Sequence, residues 1–336
     1  MKYYIEVGTI NKAKQDIDEI CRREGFINLT RRNFGSGKVG RFLTKLSSVC
    51  RIPFTLHRGD TMFLQYPMKK FYKMACTMAK WKGASVVAVI HDLGAFRRHK
   101  LTSEQENRRL NKTDFLIVHN PTMRDYVIQH GFKGGVHCLQ IFDYISVSTA
   151  DSYECPHTPW RIVYAGNLGR WRNAFLYEME SCIGSWEMDL YGKGFEADAN
   201  TCQQLHYHGP IPSDDFIAKA EADFGLVWDG DSTAECTGAW GEYLKINDPH
   251  KTSFYLRAGI PVIVWEQAAM APFITEQGVG IAINGIQDLQ KALDNLSPDQ
   301  YQIMRQNALE MSRRLASGYH IRKGLKAADE YLCTKE

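Results

Sequence analysis

Short, nearly continuous apolar runs alternate along the chain with longer stretches in which apolar side chains return at helical spacing. Continuous runs suit strands buried on both faces, and their alternation with helices indicates parallel sheets with helical crossovers. In the first half, the pattern predicts strands at 3–7, 61–65, 85–90, 115–118 and near 137–141, with helices at 12–24, 69–82, 103–111 and 122–130. A Ser-, Thr- and Pro-containing stretch at 146–159 reads as a linker. A second set of strands is predicted at 161–165, 187–191, 204–208, 224–228, 261–265 and 280–283, with helices that include 250–257 and 289–295. The chain ends in a helix over 298–332, interrupted near Gly318.

The pattern describes two α/β blocks, and 336 residues are ample for two cores. The expected division is 1–150, 160–315 and a final helix at 316–336 that packs back on the first domain. With 44% hydrophobic and 24% charged residues, the composition is that of a globular protein. Net charge is only +3, but nine basic residues and one acid, Glu24, lie between Cys21 and Arg58. Such a segment attracts phosphates on a nucleic acid, a lipid head group or a diphosphate-linked substrate, or it is a solvated face. No nucleic-acid-binding motif accompanies it, so no nucleic-acid partner is expected. Nine cysteines without a CxxC pair fit reduced thiols better than disulfides or a zinc site. The start of the chain lacks a signal-peptide run, and the longest apolar stretch, 84–90, is too short to cross a bilayer. A cytoplasmic protein that meets a membrane only from its surface is expected.

Ligands of open parallel sheets bind beyond the carboxyl ends of the strands, which directs attention to the strand-to-helix turns. In Tyr164-Ala165-Gly166-Asn167-Leu168-Gly169-Arg170-Trp171-Arg172, a strand ends in a glycine, an amide and two guanidinium groups. That is either an ordinary tight turn or a diphosphate contact. Around Asp248-Pro249-His250-Lys251, a good N-cap residue and a proline predict a helix start. Cations in a first helical turn are unfavourable unless an anion offsets them, and this conflict points to a bound phosphate. His91 and Asp92 follow the strand at 85–90 and either remove a proton from an acceptor hydroxyl or merely cap the next turn. Gly8 and Thr9 form a similar rim turn with a potential acceptor contact.

Other motifs do not hold. Gly35-Ser36-Gly37-Lys38 lacks the first glycine and the final hydroxyl of a P-loop, and no GxGxxG follows the first strand. Asp229-Gly230-Asp231 resembles a DxD metal–nucleotide motif of another architecture. Its place after a strand favours a turn role, so no metal site is expected.

Gly225 to Gly230, Gly241-Glu242-Tyr243-Leu244-Lys245, Asn247, Pro249-His250-Lys251 and Ala258 to Ile263 together resemble bacterial GT-B glycosyltransferases. The likeness is to the galactofuranosyltransferase and streptococcal adhesin glucosyltransferase type, and the runs at 164–168 and 12–17 extend it over nearly the whole chain. The resemblance implies two Rossmann-like domains facing across a cleft, with the acceptor on the first and a UDP-sugar on the second. It places Gly166, Asn167 and Arg170 beside the diphosphate, Lys245, Asn247, His250 and Lys251 opposite, and Tyr191 and Gly192 near the uridine. Leu168 and Tyr243 complete that donor set. Many retaining members carry two glutamates with seven residues between them. Glu235 and Glu242 enclose one residue fewer, which leaves the stereochemistry open.

The expected reaction is displacement at the anomeric carbon of a UDP-hexose, galactofuranose or glucose, without a metal cofactor. Lys251, Arg170 and the helix start would stabilise the leaving diphosphate, and Asp92 or else His91 would act as base. The acceptor that the resemblance implies is a glycan of surface polysaccharide or glycoprotein assembly. The basic segment would contact a lipid diphosphate or the membrane, with 35–40 as a mobile lid, and self-association stays open. Two rivals remain: a sugar-nucleotide epimerase of related architecture, which needs no acceptor, and a non-catalytic sugar-nucleotide-binding partner of a transferase.

Overall fold

The computed structural model describes residues 1–6, 11–35, 37–68, 70–97, 101–150, 155–196 and 202–335. The chain forms two compact units, Met1–Asp143 together with Gly318–Glu336, and Tyr144–Ser317.

The N-terminal unit contains β1 (Lys2–Tyr4), α1 (Lys12–Arg23), β2 (Ile27–Asn28), α2 (Lys38–Cys50), α3 (Ile52–Thr55), β3 (Thr61–Tyr66) and α4 (Lys70–Trp81). It continues through β4 (Ser85–Ile90), α5 (Gly94–Arg97), α6 (Ser103–Leu110), β5 (Phe115–Val118), α7 (Pro121–Gln129) and β6 (Gly135–Cys138). All six strands are parallel, in the order β2-β1-β3-β4-β5-β6. The apolar runs became central strands for the expected reason: five of the six residues of β4 are buried. Short polar side chains start the helices. Asn11 caps α1, Asn120 caps α7, and Thr102 with Gln105 forms a capping box on α6.

The C-terminal unit contains β7 (Trp160–Asn167), α8 (Arg170–Asn173), β8 (Trp186–Lys193), β9 (Leu205–Gly209), α9 (Ser213–Lys219), β10 (Phe224–Val227) and α10 (Gly238–Gly241). Then follow α11 (His250–Arg257), β11 (Val262–Trp265), α12 (Ala271–Glu276), β12 (Gly280–Ile283), α13 (Leu289–Asp294) and α14 (Pro298–Ser317). Its strands are also parallel, in the order β12-β11-β10-β7-β8-β9. Chain order therefore reverses between β7 and β10, which is the Rossmann arrangement and its switch point. The core beneath holds Trp186, Trp228 and Trp265, with Tyr164, Phe175, Phe224 and Tyr301.

Gly225 lets α11 lie close on β10, because a Cβ there would stand 2.3 Å from Cγ of Tyr255. From that seat the Tyr255 hydroxyl accepts from the Ala165 backbone N–H at 2.7 Å, just past the residues of β7 that pair with β10. Tyr164 donates its hydroxyl to the Trp228 carbonyl at 3.0 Å. The carboxyl end of β7 is thus fixed by side chains where the ladder runs out.

Several sequence expectations shift. The 146–159 stretch is not a free tether, since Arg257 donates to the Ser146 and Ser148 carbonyls and so binds its first part into the C-terminal unit. The first boundary falls after Asp143 rather than at 150. Residues 38–40 belong to the first turn of α2 rather than to a loop, and Ser36 lies outside the described residues. Helix α11 takes Pro249, not Asp248, as its N-cap.

After Gly318, whose φ of +77° ends α14, α15 (Tyr319–Cys333) returns to the N-terminal unit and packs on α1, β5 and β6. Its first turn is held by buried Asp143, which accepts from the N–H groups of His320 at 3.1 Å and Ile321 at 2.7 Å. Burial pushes the Asp143 carboxyl up to about 7. Asp143→Ala leaves two buried N–H groups unmet and is expected to cost about 1–3 kcal/mol in chemical denaturation of the whole chain. An unchanged midpoint would show that water satisfies this helix end.

Candidate active site

A cleft of about 540 Å³ opens in the C-terminal unit at the carboxyl ends of β7, β8 and β10. Its walls include Gly166 and Asn167 after β7, Tyr191 to Lys193 at the end of β8, Asp229 after β10, and His250, Lys251 and Phe254 on α11. Gly192 permits this geometry. Its φ is +153°, and a Cβ on it would sit 1.8 Å from the Gly166 carbonyl oxygen. The two strand ends can stay paired only while the position is glycine.

Lys251 is the central cation. Its side chain is 13% exposed, and Nζ lies 3.4 Å from the Trp228 carbonyl, 3.9 Å from Asp229 Oδ1 and 3.7 Å from the centre of the Tyr164 ring. Asp229 also receives Arg172, through Nη2 at 3.2 Å and Nε at 3.3 Å, while the Arg172 guanidinium stacks 4.0 Å over Trp240. Burial lowers the Lys251 ammonium to about 8, with Asp229 opposing that shift and Arg172 adding to it. At neutral pH two cations therefore share one carboxylate, and the cluster carries a net positive charge into the cleft. Lys251 also sits in the first turn of α11, whose positive dipole end adds to the potential.

Aromatic side chains flank this charge. Tyr144 stacks on His250 with ring centres 4.8 Å apart, and Tyr191 stacks on His208 at the same separation. His208 is held by buried Asp189 at 2.6 Å, which also accepts from Arg161 at 2.9 Å. Asp189 therefore fixes the support of Tyr191.

Of the expected donor residues, Gly166, Asn167, Tyr191, Gly192, His250 and Lys251 meet in this cleft. Leu168 and Tyr243 are buried in the core instead. Arg170 points away, stacking 4.1 Å over Tyr177 with Glu196 at 3.5 Å. Lys245 pairs with Glu242 at 2.8 Å and lies over Trp265. Asn247 is outside the lining, and its Oδ1 is buried without a hydrogen-bond partner among the described residues. Arg172, read only as one of two candidate guanidinium groups, and Asp229, read as a turn residue, join the site in place of Arg170. Residues two apart on a helix face opposite ways, so only one of the two arginines can enter the cleft. Asp229 is an ion-pair partner rather than the turn residue that its DxD context suggested.

In the N-terminal unit, His91 and Asp92 follow β4. Gln65 on β3 donates from its amide nitrogen to Asp18 Oδ1 at 2.7 Å and to the Lys14 carbonyl at 3.1 Å. A carboxylate can only accept, so the Gln65 oxygen faces His91 Nε2, at 2.7 Å. Nε2 then carries the proton. The His91 ring stacks on Phe142, whose edge meets buried His119. Burial lowers Lys14 to about 8, Lys45 adds to that, and Asp92 and Asp18 oppose it. Lys14, Asp18 and Gln65 were not expected in this cluster. Gly8 and Thr9 lie outside the described residues.

Profiles of one family match both units. The one described as "Glucosyltransferase 3-like, N-terminal domain" covers residues 4–141, and its C-terminal counterpart covers 162–328. The beta-1,6-galactofuranosyltransferase WbbI of Escherichia coli strain K12 is 30% identical over 96% of this chain and 95% of its own. Among solved structures, the apo lipopolysaccharide outer core galactosyltransferase WaaB aligns with a TM-score of 0.62 at 12% identity over the full length of both chains. HepE of Anabaena in complex with UDP aligns with a TM-score of 0.58 at 11% identity, over 99% of this chain and all of its own. Those two likenesses establish the GT-B fold.

A lysine whose folded value is about 8 binds fewer protons than its unfolded counterpart, ordinarily near 10.5, throughout the interval between them. Stability should therefore rise with pH across that window, and the full penalty should apply below it. Lys251→Met is expected to be more stable than the parent at pH 7, by on the order of 2–3 kcal/mol, and to lose that part of the pH dependence. Equal stability of the two proteins at pH 7 in guanidinium titrations would contradict a desolvated ammonium.

Proposed function

The chain belongs to the glucosyltransferase 3-like family of GT-B glycosyltransferases, and we propose that it transfers a hexose from a UDP-sugar, galactofuranose or glucose, to a glycan acceptor of surface polysaccharide or glycoprotein assembly. The single observation that carries this reading is the excess positive charge of Lys251 and Arg172 over Asp229, beside a helix start and a glycine-lined strand end. A diphosphate supplies the missing negative charge, and Tyr191 offers its ring to the base.

The acceptor oxygen attacks the anomeric carbon while the bond from that carbon to the β-phosphate oxygen breaks. The electron pair leaves with UDP, whose growing charge is met by Lys251, Arg172 and the N–H groups of α11, in place of a metal ion. If the reaction inverts, the acceptor proton passes to Asp92, or failing that to His91. Glu242 is exposed, pairs with Lys245 and stands outside the cleft lining. We place the reaction in the cytoplasm on the strength of nine cysteines, none of them in a disulfide. Among the described residues, no helix is long and apolar enough to cross a membrane.

Two experiments test the proposal. Thermal shifts with UDP, GDP, CDP, dTDP and their hexose conjugates should show selective stabilisation by UDP compounds that survives EDTA. Turnover of UDP-galactofuranose or UDP-glucose with glycan acceptors should be abolished by Lys251→Ala. UDP-N-acetylglucosamine conversion without an acceptor would favour an epimerase, and binding without turnover a non-catalytic partner. Asp92→Asn should lower kcat at least ~100-fold with UDP affinity unchanged, and retained activity would move the base to His91.

A further inference from the structure

Helix α2 is packed inside out. Its buried positions are Thr44, Ser48 and Val49, so most of the inward face is polar. The Ser48 hydroxyl meets Thr30 at 3.0 Å and the Thr44 carbonyl at 2.7 Å, while Thr44 Oγ1 meets the Gly40 carbonyl and the Phe34 N–H. Val39, Leu43, Leu46 and Cys50 instead form one apolar stripe at helical spacing, exposed except at half-buried Leu46. Val39 is 72% exposed and Leu43 40%. Phe34 before the helix and Phe54 on the adjoining α3, 88% exposed, extend the apolar surface, while Phe42 packs its ring against Phe71 of α4, 5.2 Å between centres.

The charge around this surface has one sign. Residues 25–59 contain seven lysines and arginines and no aspartate or glutamate. Arg31, Arg32, Lys38, Arg41 and Arg58 are exposed. Two such faces repel each other, which argues against a second copy as the occupant. A helix with an apolar stripe among cations is the form that lies in the head-group layer of an anionic bilayer. The apolar stripe enters the acyl boundary and the cations meet lipid phosphates.

We propose that α2, with Phe34 and Phe54 beside it, docks the N-terminal unit on an anionic membrane surface. The stripe contributes apolar burial, and the arginines and lysines make the attachment sensitive to salt.

The test is flotation of the full chain with phosphatidylcholine vesicles, with and without phosphatidylglycerol. The parent is expected to bind only the anionic vesicles and to be released by raised salt. The double variants Val39→Glu/Leu43→Glu and Val39→Ser/Leu43→Ser should bind at least tenfold more weakly, with the UDP thermal shift intact. The serine pair removes apolar surface without adding charge. Undiminished binding by the serine variant, or no binding of the parent to anionic vesicles, would overturn the proposal. A parent dimer that the substitutions dissociate, without vesicle binding, would assign the face to a second copy and overturn it as well. The UDP shift separates this outcome from failure of the transferase reading.

Discussion

The ammonium of Lys251, held out of water at the carboxyl end of the central strand of a parallel sheet, is the feature on which the C-terminal site depends. The carboxylate beside it, Asp229, is already engaged by Arg172 at 3.2 Å. Desolvation disfavours the charge, yet at about 8 the group remains protonated at neutral pH. The site therefore holds electrostatic energy that a bound anion can release. The fold makes this possible through close approach. Gly225 admits α11 against β10, Tyr255 reaches across to Ala165, and Gly192 keeps β8 beside Gly166. Each contact brings the first turn of α11 and the end of β7 to one rim.

The N-terminal unit applies the same topology to a different chemistry. Its rim carries the imidazole of His91, ordered by an amide whose orientation Asp18 dictates. Asp143 then fixes α15 to this unit, so the last helix of the chain completes the first domain instead of the second.

Much of this was legible in the residues. The apolar runs marked every strand of the C-terminal sheet to within about two residues, because parallel strands covered on both faces leave few polar positions. The clash between His250, Lys251 and a helix start pointed to one wall of the cleft, which those two residues line. What escaped notice has physical reasons. Helix α2 buries hydroxyls and exposes Val39 and Leu43, so the rule that apolar side chains point inward gives no account of it. Arg170 and Arg172 are alike in sequence, and only the direction of a short helix separates them. Asp229 read as a turn residue because its cationic partners are distant along the chain. Lys14, Asp18 and Gln65 gather from two elements that only the register of β3 and the seating of α1 bring together.

The most direct measurement is calorimetric titration of uridine, UMP and UDP into the protein and into its Lys251→Met variant, at pH 7. If the positive cluster recognises a diphosphate, UDP binds at least ~10-fold more tightly than UMP, a difference of about 1.4 kcal/mol, and the variant loses most of that preference. Equal affinity for UMP and UDP, or a preference unaffected by the substitution, would contradict a donor site built on Lys251.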